Sequence, residues 1–264
     1  MNAHHLGVYG EPAAHEAVSN IIRRHSTNPG DVRAAALDGL DLGRVSRLLD
    51  LGCGFGFFVA GLDGRLPVDA DVVGIDLHDR NREAFLARAR AVARSAEFLC
   101  ATLDDRLDFP DRSFDAVVAS YSLYFFPGVI PDVARVLKPG GVFVALTHSE
   151  SAFARLLAEI GCKDPELRQV LLEFSAENGA ARLAPHFGRV ETRPYPNRLV
   201  FEAADADDLL GLLAFKLPSM TPAGSGDGGP STAILDRARH LLERRGRLTI
   251  AKDDAVFLAT EPRS

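Results

Sequence analysis

The sequence predicts an α/β fold: a doubly wound, mainly parallel sheet with helices on both faces. Three observations predict it. Short apolar runs of four to seven residues alternate with helical segments through the middle of the chain. Those runs are apolar at successive positions, as strands covered on both faces are. The first run ends in a glycine-rich turn, "RLLDLGCGFGFF" at 47–58, and ligands of such sheets bind beyond strand ends of this kind.

The elements follow in chain order. Residues 13–24 place Ala14, Val18, Ile21 and Ile22 on one helical face. In "STNPGDVRAAALDGL" a second helix starts, with Asn28 as its cap, Pro29 at the first helical position and Asp31 in the first turn. "RLLDL" is the first strand, and "FFVAGL" begins a short helix. "DVVGID" (71–76) is the second strand, "NREAFLARARAVARS" (81–95) a helix and "EFLC" a short third strand. "FDAVVAS" (114–120) is the fourth. Ile130, Val133, Ala134 and Leu137 mark a helix that "LKPGG" closes with turn residues, and "VFVALTH" (142–148) is the fifth strand.

Beyond residue 150 the pattern changes. Phe153, Leu156, Leu157 and Ile160 mark one helix; Leu167, Val170, Leu171 and Phe174 mark another. "RVETRPYPNRLVF" (189–201) reads as a strand with an extended continuation, and 205–217 and 231–245 as helices. Between those two helices lies "PSMTPAGSGDGGPS", a loop that is either a solvated connector or a lid. "RLTIAKDDAVFLAT" ends the pattern as one or two strands around a Lys-Asp-Asp turn.

Composition narrows the class. With 264 residues, 47% of them hydrophobic and 25% charged, the chain suits one large α/β domain. No run of about 18 apolar residues predicts a membrane span, and the N-terminus lacks the pattern of a secretory signal. Cys53, Cys100 and Cys162 offer neither a disulfide framework nor zinc spacing and fit a cytoplasmic protein. A net charge of −6 counts against nucleic acid as the main partner.

The glycine turn narrows the ligand. Gly52, Gly54 and Gly56 allow a tight turn and a close approach to the backbone, and the following helical segment aims N–H groups at the same place. A dinucleotide fingerprint wants its third glycine one residue later, where Phe57 stands. Asp50 repels a pyrophosphate and suits a cationic group such as an amine or a sulfonium. Asp76, 20 residues after Gly56 at the end of the second strand, is placed to accept hydrogen bonds from ribose hydroxyls. Together they describe a nucleoside whose other end is positive.

Four stretches carry a family resemblance: "LLDLGCGFGFF", "VVGIDL", "FPDRSFDAVVASYSLYFF" and "VARVLKPGGVFVALTHSE". They resemble the successive motifs of class I S-adenosylmethionine-dependent methyltransferases, over residues 47–150. More loosely, "FSAENGAARLAPHFGRVETRPYPNRLVFEAADADDLLGLL" with "LTIAKDDAVFLAT" is similar to the C-terminal halves of bacterial small-molecule methyltransferases. The resemblance implies a Rossmann-like, seven-stranded sheet with an antiparallel last strand. It also implies an N-terminal helical cap (1–44), a cofactor-binding core (45–150) and a C-terminal half (151–264) with a helical insertion at 203–246. It implies S-adenosylmethionine as cofactor and S-adenosylhomocysteine as product. Asp50, Gly52, Cys53, Gly54 and Gly56 would hold the methionine moiety, Asp76 the ribose and Leu77 an adenine face. Thr102 and Leu103 lie where the family has its adenine-reading acid; here Asp104 or Asp105 is the candidate, a departure from the usual register. Ser120 and Tyr121 would line the methionine end through their backbone.

The acceptor is less legible, because the cofactor carries the difficult chemistry. His148 is the candidate base, with Tyr124 as a second catalytic candidate. Tyr9, Phe125 and Glu150 are candidates for acceptor binding, and Cys53 reads as a small side chain in a tight turn. His4, His5, His25, His186 and Tyr195 are given structural or no roles, and His15 none. No base-amine motif follows the fourth strand, and Ser120 stands where catechol-type enzymes place a metal ligand, so a small-molecule acceptor without metal is expected. A monomer or homodimer is expected. Two rival readings are a cofactor-binding protein without turnover and a nicotinamide-dependent oxidoreductase; the early third glycine and Asp50 weigh against the latter.

Overall fold

The computed structural model describes residues 9–162, 166–217 and 232–263. The expected loop at 218–231, with His4 and His5, lies outside the described residues. The chain opens with α1 (Pro12–His25) and α2 (Val32–Leu37). The cap of α2 is Asp31, whose side chain accepts the Arg33 N–H, and not Asn28. Asn28 instead accepts the Gly30 N–H within the preceding turn, so Pro29 stays outside the helix.

Next come β1 (Arg47–Leu51), β2 (Asp71–Asp76), α3 (Arg82–Val92), β3 (Ser95–Cys100), β4 (Phe114–Ser120), α4 (Ile130–Val136) and β5 (Leu137–His148). The expected short helix after the glycines is one 3-10 turn, Val59–Leu62. "LKPGG" is not a turn between elements but the irregular first part of β5. The pairing of β4 with β5 shifts register between Phe114 and Ala116, and Gly140 there has φ +82°.

The second half holds α5 (Ala154–Glu159), α6 (Glu166–Leu171), α7 (Gly179–Leu183), β6 (Phe187–Tyr195), β7 (Arg198–Glu202), α8 (Ala206–Lys216), α9 (Thr232–Arg245), β8 (Arg247–Ala251) and β9 (Asp254–Pro262). Seven strands form one sheet in the order β3-β2-β1-β4-β5-β9-β6. β1 to β5 run parallel, and β9 is antiparallel to both β5 and β6. β7 and β8 pair only with each other, as a separate two-stranded sheet. The insertion therefore frames its two helices with strands of its own, and the two runs either side of the Lys-Asp-Asp turn belong to different sheets.

Strand alternation sorts the core into two layers. Leu49, Leu51, Val73, Ile75, Val117, Phe143 and Phe257 face one layer with α4, α5, α8 and α9. Leu48, Val72, Val118, Val144, Leu146 and Val256 face the other, with α2 and α3. Every one of these strand residues is buried, which is why the runs read as continuously apolar. Strand order reverses between β1 and β4, so a crevice opens beyond their carboxyl ends.

Candidate active site

That crevice is a cavity of about 780 Å³, within the usual range for small-molecule sites. Its floor is the turn after β1. Gly52, Gly54 and Gly56 all have positive φ. A Cβ on Gly52 would meet the Ser122 Cβ at 2.5 Å, whereas one on Gly54 would find nothing nearer than His15 at 3.9 Å. The first glycine is thus required by packing and the second by an open approach from the cavity. The loop is tied to the end of β2: Gly52 and Cys53 N–H groups donate to Ile75 O, and Gly54 N–H donates to Asp76 Oδ2 at 2.9 Å. Cys53 is buried, its sulfur 2.8 Å from where a Cβ on Gly74 would lie. It is a small side chain packed on β2.

Asp50 lies in β1, fully buried, and neither carboxylate oxygen has a hydrogen-bond partner. Burial, then the nearby Asp76 charge, pushes its carboxyl up to about 8. An orphaned buried carboxyl lining a cavity fits a cationic guest, and an amine would supply both charge and donors. Asp76 Oδ1 accepts from His78 N–H at 2.9 Å and from Asn81 Nδ2 at 3.0 Å. Asn81 Nδ2 also donates to Tyr9 O, tying the N-terminal segment to the end of β2.

Leu77, Thr102, Leu103 and Asp104 line the same end of the cavity. Asp105 is packed against Gly128 instead, which leaves Asp104 as the acid on the lining. Ser120 reaches the cavity too, and its Oγ is buried without a partner.

The other end of the cavity is built around His148, at the end of β5. Antiparallel pairing sets His148 directly opposite Asp254, the first residue of β9. His148 Nδ1 lies 2.7 Å from Asp254 Oδ1. Burial alone would raise the Asp254 carboxyl, but Lys252 and His148 hold it down to about 2. An ionised carboxylate only accepts, so Nδ1–H donates and Nε2 keeps its lone pair. Burial, and then Lys252, lowers the His148 imidazole to about 4, so the ring is neutral at pH 7.

The same carboxylate organises two more groups. Asp254 Oδ2 accepts from Lys252 Nζ at 2.6 Å and from Tyr121 OH at 2.9 Å. Tyr121 has φ +56°, strained for a residue with a Cβ. Its ring stacks on His148 with centroids 4.6 Å apart, and Tyr124 lies on a near-parallel plane at 6.3 Å. Burial raises both tyrosine hydroxyls well above 10, so both stay neutral. Phe125 and Tyr9, edge to face at 6.0 Å, extend the aromatic wall.

The structure brings most of the expected residues to one cavity. Gly56 and Glu150 are the exceptions. Gly56 turns toward α3, where a Cβ would meet Arg88 and Phe85. Glu150 is absent from the lining, its Oε1 accepts the Ser175 hydroxyl at 2.8 Å, and its backbone N–H donates to Glu177. Two positions beyond His148 the chain has already turned away from the crevice. His25 is held by Val200 O and Asp208, as a structural residue is.

Sequence reasoning missed Asp254, Lys252, Lys216 and His15. His15 stands beside Gly54, edge-on to Phe55 and stacked on Phe215. Its Nδ1 is buried without a partner, and burial, then Lys216, lowers its ring to about 3. Its place three residues before Val18, on the apolar side of the first helix, was the one available signal. Among the described residues no three His, Cys, Asp or Glu side chains cluster as a metal site, and no helix is long and apolar enough to cross a membrane.

The sheet order, the glycine turn at the switch point and the acid at the end of β2 are the features that the sequence resemblance to class I methyltransferases implies. Comparison with known proteins agrees. Residues 49–145 match the family model described as a methyltransferase domain. A ubiquinone biosynthesis O-methyltransferase of Paracidovorax citrulli is 31% identical over 143 residues, 53% of this chain and 58% of that protein. A demethylmenaquinone methyltransferase of Symbiobacterium thermophilum is 29% identical over 115 residues, 42% of this chain and 45% of that one. The chain thus spans about half the length of the curated relatives it matches. A solved protein from an antibiotic biosynthesis pathway of Anabaena variabilis shares the fold, with a TM-score of 0.57 at 16% identity over 87% of this chain and 96% of its own. Residues 49–145 are thus similar to a methyltransferase domain, set in a fold shared with solved methyltransferases.

Proposed function

We propose that the protein transfers a methyl group from S-adenosylmethionine to a small-molecule acceptor, leaving S-adenosylhomocysteine. The observation that carries this reading is Asp50: a buried carboxyl with two unpartnered oxygens, beside a glycine loop open to the cavity. When bound, the cofactor supplies a methyl group on a cationic sulfur, so that transfer is an in-line displacement. Asp50 receives the amine, the Gly52–Gly56 backbone the rest of the amino-acid moiety, and Asp76 the ribose hydroxyls. Leu77, Thr102, Leu103 and Asp104 face the base. Ser120 and Tyr121 border the methionine end.

His148 takes the proton of the acceptor at Nε2, and Asp254 fixes its tautomer and stabilises the imidazolium that forms. Tyr121 stacks on the ring and Tyr124 lies near it, while Tyr9 and Phe125 exclude water and orient the acceptor. Relatives named for ubiquinone and demethylmenaquinone support small, largely apolar acceptors as the class.

Calorimetric titration tests the first step. S-adenosylhomocysteine is expected to bind and NAD not; tight NAD binding without the homocysteine compound would overturn the reading. Transfer of labelled methyl to a metabolite panel tests the second, since binding without transfer across a broad panel points to a protein without turnover.

A further inference from the structure

The acceptor end of the cavity carries two ammonium groups that proton transfer does not require. Lys252 and Lys216 both line it, and they are only 4% and 9% exposed. They come from different elements, the turn before β9 and the last turn of α8. Lys252 is paired with Asp254. Lys216 Nζ lies 6.0 Å from the ring centre of Tyr9 and 5.8 Å from that of Phe215. Its charge is felt by His148 and by His15, so its field reaches from the glycine loop to the candidate base. Burial holds the Lys216 ammonium down to about 8, against the pull of Asp254. A cation desolvated to that degree gains from an anion brought to it. The cavity it lines is walled by aromatic rings, among them Tyr9, Tyr124 and Phe125.

We infer that the acceptor is a small organic oxyanion, a carboxylate or phenolate on an apolar body, whose charged oxygen docks at Lys216 beside the Lys252–Asp254–His148 cluster. This rests on the transfer reading above. The oxyanion attacks the methyl carbon, an O–C bond forms, and the C–S pair returns to sulfur. A phenol first gives its proton to His148 Nε2; a carboxylate arrives without one. The product is a neutral ether or ester, which has lost its hold on Lys216 and leaves.

The test is calorimetric titration of the full chain saturated with S-adenosylhomocysteine, using two matched pairs of probes: benzoate against benzamide, and pentafluorophenolate against pentafluoroanisole. At least one anion is expected to bind about tenfold or more tightly than its neutral partner, a difference of about 1.4 kcal/mol. Which pair shows the gap distinguishes carboxylate from phenolate. Lys216→Met and Lys216→Gln are expected to close the gap to about twofold, and Lys216→Arg to keep it. Equal binding of neutral and anionic partners, no binding of either anion at millimolar concentration, or a gap that survives in Lys216→Met would each overturn the inference. Titration with S-adenosylhomocysteine alone checks that each variant is folded and reads the transfer proposal separately. If that ligand fails to bind, the same probe titrations on the cofactor-free protein still decide the anion preference.

Discussion

The two ends of the cavity are built in opposite ways. The end at β1 and β2 comes from one short stretch of chain: Asp50, three glycines and Asp76 lie within 27 residues. The end at β5 is gathered from Tyr121, His148, Lys216, Lys252 and Asp254, spread over more than half the sequence. At the first end an acid is buried with no partner; at the second an acid is buried with three. The contrast is between a half-built contact that waits for a guest's charge and a finished network that holds a side chain ready. Ligand recognition tolerates an unsatisfied group because the ligand completes it, whereas proton transfer needs orientation before the substrate arrives.

Removing His148 strikes the finished network hardest. With an acceptor that arrives carrying its proton, His148→Ala is expected to lower kcat by about 10²- to 10⁴-fold with S-adenosylhomocysteine affinity unchanged, measured by steady-state kinetics and calorimetry. Asp254→Asn should approach the same loss, because the tautomer is then no longer fixed. A base lowered to about 4 is neutral throughout the working range. The profile of kcat/KM against pH should therefore show no acid limb near 6.5; a limb there would mean that another group takes the proton.

The half-built end breaks next. Gly52→Ala needs a left-handed backbone that costs a residue with a Cβ about 1–2 kcal/mol, and its methyl collides with Ser122. Cofactor affinity should fall by about 10-fold at least, with a lower melting temperature. Asp50→Asn keeps the shape and removes the charge, for a loss of about 1.5–3 kcal/mol, or roughly 10- to 150-fold, in affinity for S-adenosylhomocysteine.

The sign of the pH effect separates the two acids. The folded Asp50 carboxyl titrates at about 8, above its unfolded value of 3.8, so the folded state holds the extra proton between them. Its stabilising contribution is complete below about 4 and is lost as pH rises to about 8. Asp50→Asn should thus gain on the parent protein in thermal unfolding as pH is raised over that window. Binding an amine should release a proton near pH 7, visible as a buffer-dependent binding enthalpy. Asp254 behaves oppositely: it is held at about 2, so its contribution is present above about 4 and is lost in acid. The smallest effect belongs to Glu150→Ala, which should leave kcat and KM within about twofold and cost roughly 1 kcal/mol of stability through the lost Ser175 contact.

Much of the first end was legible because its signals are local. A doubly covered strand is apolar at every position, a tight turn needs glycine, and an acid at a strand end keeps its place whatever lies elsewhere. The errors at α2 and at "LKPGG" were local as well. Asn28 and Asp31 are both good caps, and only backbone geometry chooses between them. Gly140 allowed a register shift that let the strand begin early. Glu150 failed for a tertiary reason: its partner, Ser175, comes from 25 residues further on.

By itself the sequence determined the α/β class, the glycine turn, Asp50 and Asp76, and through them the kind of cofactor proposed. Only the tertiary structure decided which groups gather at the far end of the cavity. "KDD" reads as a turn until β9, running antiparallel to β5, delivers its first residue to the same end as the last residue of β5. Strand reversal carries no local mark at Asp254, and the burial of Lys216 depends on a helix closing over a cavity that other elements define. Contacts set by neighbouring residues are written in the chain. Contacts set by strand order and layer packing exist only once the chain has folded.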